Sequence, residues 1–145
     1  MNPAALAEAL ARLPHGPEFR FVDRLLELDP GKSGAGEYRV RGDQPFLRGH
    51  FPGDPVFPGV LMIEGMAQTA GVLCIAGGTK GFSKQVFFLT IDKAKFRKLV
   101  RPGDTIEYHM TKKAQRKNMW WYIGIAKVAG ETVAEAEVGA MIVDS

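Results

Sequence analysis

The sequence predicts an α+β fold, a curved antiparallel sheet wrapped round one buried helix. Three observations carry this. The stretch Pro58–Ala76 is apolar on nearly every face, so it reads as a helix that must be covered all round. From Lys84 onward the apolar period switches to two and holds through four strand-like segments. Tight turn signals separate those segments, so an antiparallel sheet is the economical cover for the helix.

The elements follow in order. Asn2 caps a first helix and Pro3 takes its first helical position. Leu6, Leu10 and Leu13 form its apolar stripe, and Pro14 stops it. Phe19–Leu28 (FRFVDRLLEL) reads as a strand, followed by the turn Asp29-Pro30-Gly31. Gly36–Arg41 alternates Tyr38 and Val40 with charges, as a half-exposed strand does. Gly42–Pro58 is a long connection, a length that marks a functional or disordered segment. Its Phe46, Leu47, Phe51, Val56 and Phe57 predict that it packs. The helix from Pro58 to Ala76 spans about 28 Å at 1.5 Å per residue, and Gly77-Gly78 ends it. The remaining strands are Gln85–Val100, Thr105–Arg116, Met119–Val128 and Thr132–Val143, with turns at Pro102-Gly103 and Ala129-Gly130. No repeat or linker divides the 145 residues, so one domain, 1–145, is expected.

Composition narrows the function. A net charge of +3 and a pI of about 9.1 are too mildly basic to argue for nucleic acid. No phosphate-loop, dinucleotide, CxxC or HExxH motif is present, so no cofactor or metal is expected. The long helix has the length of a membrane span, but Glu64 and Gln68 interrupt it and Gly and Ala dilute it. Burial in the sheet, not a membrane, is the expected reading. Cys74 is the single cysteine, and no basic stretch precedes an apolar one at the N-terminus, so a cytoplasmic protein is expected.

Between Pro55 and Thr79 the one carboxylate is Glu64, with no basic side chain beside it. Burying a carboxylate is costly unless it is paired, hydrogen-bonded or protonated. A carboxyl that keeps its proton is an acid at neutral pH. Gln68 lies one turn on, at i+4, placed either to satisfy Glu64 or to hold it in line with a water. Gly65 and Gly71 are poor helix formers and imply close approach of a packed neighbour or a ligand. Upstream, His50 sits in a loop stiffened by Gly49, Pro52, Gly53, Pro55, Pro58 and Gly59. That loop runs into the helix N-terminus, where the free N–H groups of Gly59 and Val60 favour a developing negative charge. Base, oxyanion site and acid in one short stretch suit proton abstraction beside a carbonyl with acid-assisted loss of a leaving group. His15 and His109 read as histidines without a task. Ser33, Ser83 and Ser145 have no base beside them, so covalent catalysis has little support.

The run GHFPGDPVFPGVLMIEGMAQTAG resembles the signature of the (3R)-hydroxyacyl-acyl-carrier-protein dehydratases of bacterial type II fatty-acid synthesis, the FabZ family. The resemblance continues in LPH at Leu13–His15, FVDRLLEL, TIDKAKFRKLVRPGD at Thr90–Asp104 and AEAEVGAMI at Ala134–Ile142, nearly the whole chain in order. It implies a hotdog fold, homodimers often assembled as trimers of dimers, and a site at the dimer interface with His from one chain and Glu from the other. It implies that His50 removes the C2 proton of the acyl thioester and that Glu64 helps the C3 hydroxyl leave as water. By the same resemblance the Gly59 N–H holds the thioester carbonyl, and the Val56 carbonyl accepts from the His50 ring and fixes its tautomer. The sister family that also isomerises the double bond has Asp at the acid position, so Glu64 favours the plain dehydratase. Two departures bear on acyl preference. The family commonly reads Pro-His-Arg-Tyr-Pro where His15 is followed by Gly16-Pro17-Glu18, and Phe87 stands where a tyrosine often gates the acyl tunnel.

Lys93, Lys95 and Arg97 fall at i, i+2 and i+4, and Lys98 and Arg101 follow. They read as a solvated strand face or, given an acidic acyl carrier protein as partner, as its docking patch. Two rival functions are a hotdog acyl-thioesterase, which would release free acid, and a non-enzymatic acyl-binding paralogue.

Overall fold

The computed structural model describes residues 2–76 and 84–144. Helix α1 (Pro3–Ala11) begins as its sequence dictates: the Asn2 side-chain oxygen accepts from the Ala5 N–H at 2.8 Å. Strands β1 (Arg24–Asp29) and β2 (Ser33–Arg39) follow, then α2 (Pro45–Gly49) and α3 (Gly59–Ala76). Strands β3 (Lys84–Phe96), β4 (Thr105–Arg116), β5 (Met119–Val128) and β6 (Glu131–Asp144) complete the chain. The six strands make one sheet in the order β1-β2-β4-β5-β6-β3, antiparallel at every pairing. Ala129 and Gly130 both take left-handed backbone (φ +51° and +82°), which makes the tight β5–β6 turn.

Helix α3 touches all six strands, so the sheet covers it as an apolar helix requires. Two thirds of its apolar window (67%) is buried, which makes this membrane-length helix a core helix. Met62, Met66 and Leu73 are each no more than 2% exposed and meet a core that includes Tyr38, Ile106, Tyr108 and Tyr122. Each such side chain contributes about 1.5–3 kcal/mol of apolar burial. Gly65 sets how close the helix lies: a Cβ there would stand 2.1 Å from the Tyr108 ring. Here the glycine serves packing.

Some boundaries differ from expectation, each for a local reason. The strand predicted over Phe19–Leu28 begins only at Arg24. Gly16 and Pro17 turn the chain into a short 3-10 helix, Pro17–Phe19, and the Phe21 N–H goes to the Gln68 side chain instead of a strand neighbour. β2 starts earlier, at Ser33, because Gly34 and Gly36 give no alternation to read but pair well. Ser33 therefore lies in a strand. β3 ends at Phe96, although the Arg97 N–H still donates to the Val133 carbonyl at 2.8 Å. α2, at five residues, is too short for periodicity to reveal inside the long connection. Gly77-Gly78, Ser83 and Ser145 lie outside the described residues.

Candidate active site

His50 follows directly on α2, in a loop held by its own backbone. Phe51 and Asp54 exchange N–H···O bonds of 3.3 and 3.0 Å, and the Val56 N–H donates to the His50 carbonyl at 2.7 Å. The ring is fixed in turn, with Nδ1 2.8 Å from the Val56 carbonyl. A carbonyl only accepts, so Nδ1 carries the hydrogen and, in the neutral ring, Nε2 carries the lone pair. Phe51 stacks on the imidazole at 4.3 Å. The Phe57 N–H donates to the Val100 carbonyl at 2.7 Å and fastens the loop to the segment after β3.

Glu64 projects from α3 into a cavity of about 300 Å³, walled by Val60, Ile63, Ala67, Phe88, Ile91 and Phe96 among others. Its Oε2 accepts from Gln68 Nε2 at 3.0 Å and lies 3.5 Å from His15 Nε2. Oε1 has no hydrogen-bond partner among the described residues. Gln68 is fully buried, and its amide is fully used: Nε2 also donates to the Phe19 carbonyl at 2.9 Å, and Oε1 accepts from the Phe21 N–H at 2.8 Å. The Glu64 side chain is 30% exposed, so one chain does not supply the apolar enclosure expected round it.

A second cavity, of about 400 Å³, lies behind the first; Ala67 and Phe88 line both. Its walls include Leu13, His15, Gln68 and Phe87. Gly71 also lines it, and a Cβ there would find its nearest neighbours, Leu13 and Phe88, only at 4.0 Å. So Gly71 opens space where Gly65 closes it. At the start of α3, the Phe96 ring covers Gly59, 2.7 Å from where a Cβ would stand, and Val60 is exposed.

His15, read from sequence as having no task, stands beside Glu64. The signal was present in the LPH run, but one histidine after a helix stop gives no direction to its ring. His109 pairs with Glu107 at 2.9 Å and lines neither cavity. His50 does not line the Glu64 cavity. Closeness in sequence therefore does not bring His50 and Glu64 together within one chain: the loop is tied to Val100, while Glu64 faces Phe88 and Phe96.

The basic residues have acidic company. Lys93 lies 3.6 Å from Glu137, Arg97 2.8 Å from Glu135 and Arg101 3.4 Å from Asp54, and Lys98 pairs with Glu131. Lys95 has no carboxylate within 4 Å among the described residues. The simple i, i+2, i+4 alternation also fails. A bulge between Asp92 and Lys95, with Lys93 in left-handed backbone (φ +54°), adds one residue to β3. Burial pushes the Cys74 thiol up to about 11 and the Tyr108 hydroxyl well above its ordinary value, so both stay protonated.

A sheet folded round a single helix, antiparallel at every pairing, defines a hotdog fold. A dehydratase heterocomplex from Xenorhabdus doucetiae shares this fold with a TM-score of 0.75 at 16% identity, over 92% of this chain and 89% of that one. A mutant thioesterase from Pseudomonas aeruginosa gives 0.74 at 10% identity, over 97% and 94%. Sequence then separates the possibilities that fold leaves open. Residues 13–137 match the FabA-like domain. The 3-hydroxyacyl-(acyl-carrier-protein) dehydratase FabZ of Rhodopseudomonas palustris is 56% identical over 137 residues, which is 93% of this chain and 90% of the relative. The chain belongs to the FabZ family of 3-hydroxyacyl-acyl-carrier-protein dehydratases, which are hydro-lyases.

Proposed function

We propose that this protein removes water from (3R)-3-hydroxyacyl-acyl carrier protein to give the trans-2-enoyl thioester, with His50 as base and Glu64 as acid. His50 Nε2 takes the C2 proton. The electron pair left on C2 forms the C2–C3 double bond as the C3–O bond breaks. The acid form of Glu64 gives its proton through Oε1 to the departing hydroxyl, which leaves as water. The Gly59 N–H, at the positive end of α3, holds the thioester oxygen while charge builds on it. Gln68 keeps Oε2 turned away from substrate, and the cavity beside Gly71 and Phe87 takes the acyl chain.

The observation that carries this reading is the commitment of His50 Nδ1 to the Val56 carbonyl, which leaves Nε2 a free base. Because one chain separates His50 from the Glu64 cavity, the working site joins His50 of one copy to Glu64 of another. The half-exposed apolar residues of β3, on the open side of that cavity, support a homodimer there. By resemblance, three such dimers form the assembly. The enzyme works in the cytoplasm, with acyl carrier protein docking near Lys95.

The test is hydration of crotonyl-acyl carrier protein, read beside release of free thiol. His50→Ala and Glu64→Gln should each lower hydration about 10²–10⁴-fold in folded protein. Co-refolding the two dead variants should restore about a quarter of the wild-type rate, since mixed dimers own one intact site. Unchanged rates in the single variants would remove the catalytic assignment. No recovery on mixing would place the site within one chain. Thiol release without hydration would make the protein a thioesterase.

A further inference from the structure

Both partners of Glu64 Oε2 trace back to one three-residue segment, Phe19–Phe21. The backbone of Phe19 and Phe21 clamps the Gln68 amide from either side, at 2.9 and 2.8 Å. Between them, Arg20 sends its side chain to the other partner. Arg20 Nη2 donates to the Leu13 carbonyl at 2.8 Å and to the His15 carbonyl at 3.2 Å. One nitrogen with two hydrogens thus serves two carbonyls on either side of Pro14.

Residues Leu13–Gly16 have no repeating backbone structure. Pro14 has no N–H to give, and no other donor reaches the His15 carbonyl among the described residues. The backbone that sets the His15 ring over Glu64 is therefore held by Arg20, while the ring itself also stacks on Phe19, centroids 6.3 Å apart. The arrangement is costly to keep: Arg20 Nε and His15 Nδ1 are buried without hydrogen-bond partners. An aliphatic residue at position 20 would bury no such N–H, so simple packing does not account for the guanidinium.

We propose that Arg20 is a positioning residue for the acid, acting through His15. It pins the Leu13–His15 turn so that His15 Nε2 and Gln68 Nε2 meet the same oxygen of Glu64. The carboxyl is then held at a single rotation, with Oε1 turned into the cavity. The inference rests on the reading of Glu64 as the acid. Its effect belongs in kcat, because the carboxyl's aim matters most when the C3–O bond breaks.

The experiment measures kcat, KM and melting temperature for Arg20→Leu, Arg20→Lys, His15→Gln and the Arg20→Leu/His15→Gln double variant, with Glu64→Gln alongside. Arg20→Leu should lower kcat about tenfold, within the range a misaimed group costs, and leave KM within about twofold. Arg20→Lys, which can still donate to both carbonyls, should regain most of that loss. In the His15→Gln background, Arg20→Leu should have almost no further effect, since neighbours in one chain of contacts do not add. Equal losses in both backgrounds, or a lower melting temperature with kcat unchanged, would overturn the proposal. If Arg20→Leu does not fold, Arg20→Lys against Arg20→Gln in the same two backgrounds decides it by the same criterion. Glu64→Gln at full activity would instead bring down the assignment of the acid. Glu64→Gln inactive with Arg20→Leu at wild-type kcat would bring down only this inference.

Discussion

The sheet has two edges, and they are finished differently. β1 is six residues long, packs against α1, buries Leu25 and Leu28, and turns charges such as Arg24, paired with Glu37 at 3.2 Å, towards water. β3 is thirteen residues long and leaves Phe87, Leu89, Ile91 and Phe96 each 50–58% exposed. Short, charged and covered is how an edge is closed to further pairing; long and apolar is how it stays open. Ile91 and Phe96 also wall the Glu64 cavity. The edge that lacks a neighbour is thus the edge beside which the Glu64 side chain stays 30% exposed. One completion serves both needs.

The largest expected effect comes from breaking that difference. Placing charge on the open edge, Leu89→Lys with Ile91→Lys, should give a monomer by analytical ultracentrifugation. It should also cost about a hundredfold in hydration rate, comparable to losing one catalytic group. Glu27→Lys on β1 should change neither mass nor rate. A β3 variant that keeps both would show the two edges to be equivalent.

A smaller effect sharpens the contrast through charge. Among Lys93, Lys95, Arg97, Lys98 and Arg101, Lys95 alone has no acidic partner within 4 Å among the described residues, so it has most to offer an acidic carrier. Lys95→Glu should raise KM for carrier-bound substrate roughly fivefold, and Arg97→Glu less, because Glu135 already occupies Arg97. The order of the two KM values is the measurement, and the reverse order would move docking elsewhere.

The smallest effect is on pH. Glu131 and Glu135 on β6 are held below the ordinary carboxylate range by hydrogen bonds from Lys98 and Arg97, and Glu137 by Lys113. Groups depressed on folding stabilise the fold above their unfolded value near 4.5, and that contribution is lost as pH falls through the folded values. These groups are exposed, so each contribution is small. Between about pH 5 and pH 3 the melting temperature of the wild type should therefore fall more steeply than that of Glu135→Gln. Parallel curves would mean that the Arg97–Glu135 pair does not tie the segment after β3 to β6.

Legibility in the sequence followed the physics of each element. α3 was plain because nineteen residues from Pro58 without a polar face have only one place to go. β4 and β5 were read at their observed ends because glycine turns stand before β4 and after β5, at Gly103 and Gly130, and the first half of β4 and most of β5 alternate. The start of β1 was missed because Phe21 is apolar for a different reason: its ring packs against Tyr38, Phe46 and Phe57, while the backbone of Phe19 and Phe21 serves Gln68 instead of a strand neighbour. His50 and Glu64 stood out by composition, and Gln68 by its i+4 spacing. His15 and Arg20 did not, since their roles arise from contacts 49 and 5–7 residues apart that no local period encodes. The separation of His50 from Glu64 was equally invisible to spacing alone.

Gly65 and Gly71 have one more consequence. The first lets α3 rest directly on the Tyr108 ring, so the helix cannot be raised or lowered without an overlap. The second opens the rear chamber about 9 Å further along the same rod. Any lineage that needs a deeper or shallower chamber is therefore driven to trade side chains at its walls, and the reactive end of the helix keeps its address while it does so.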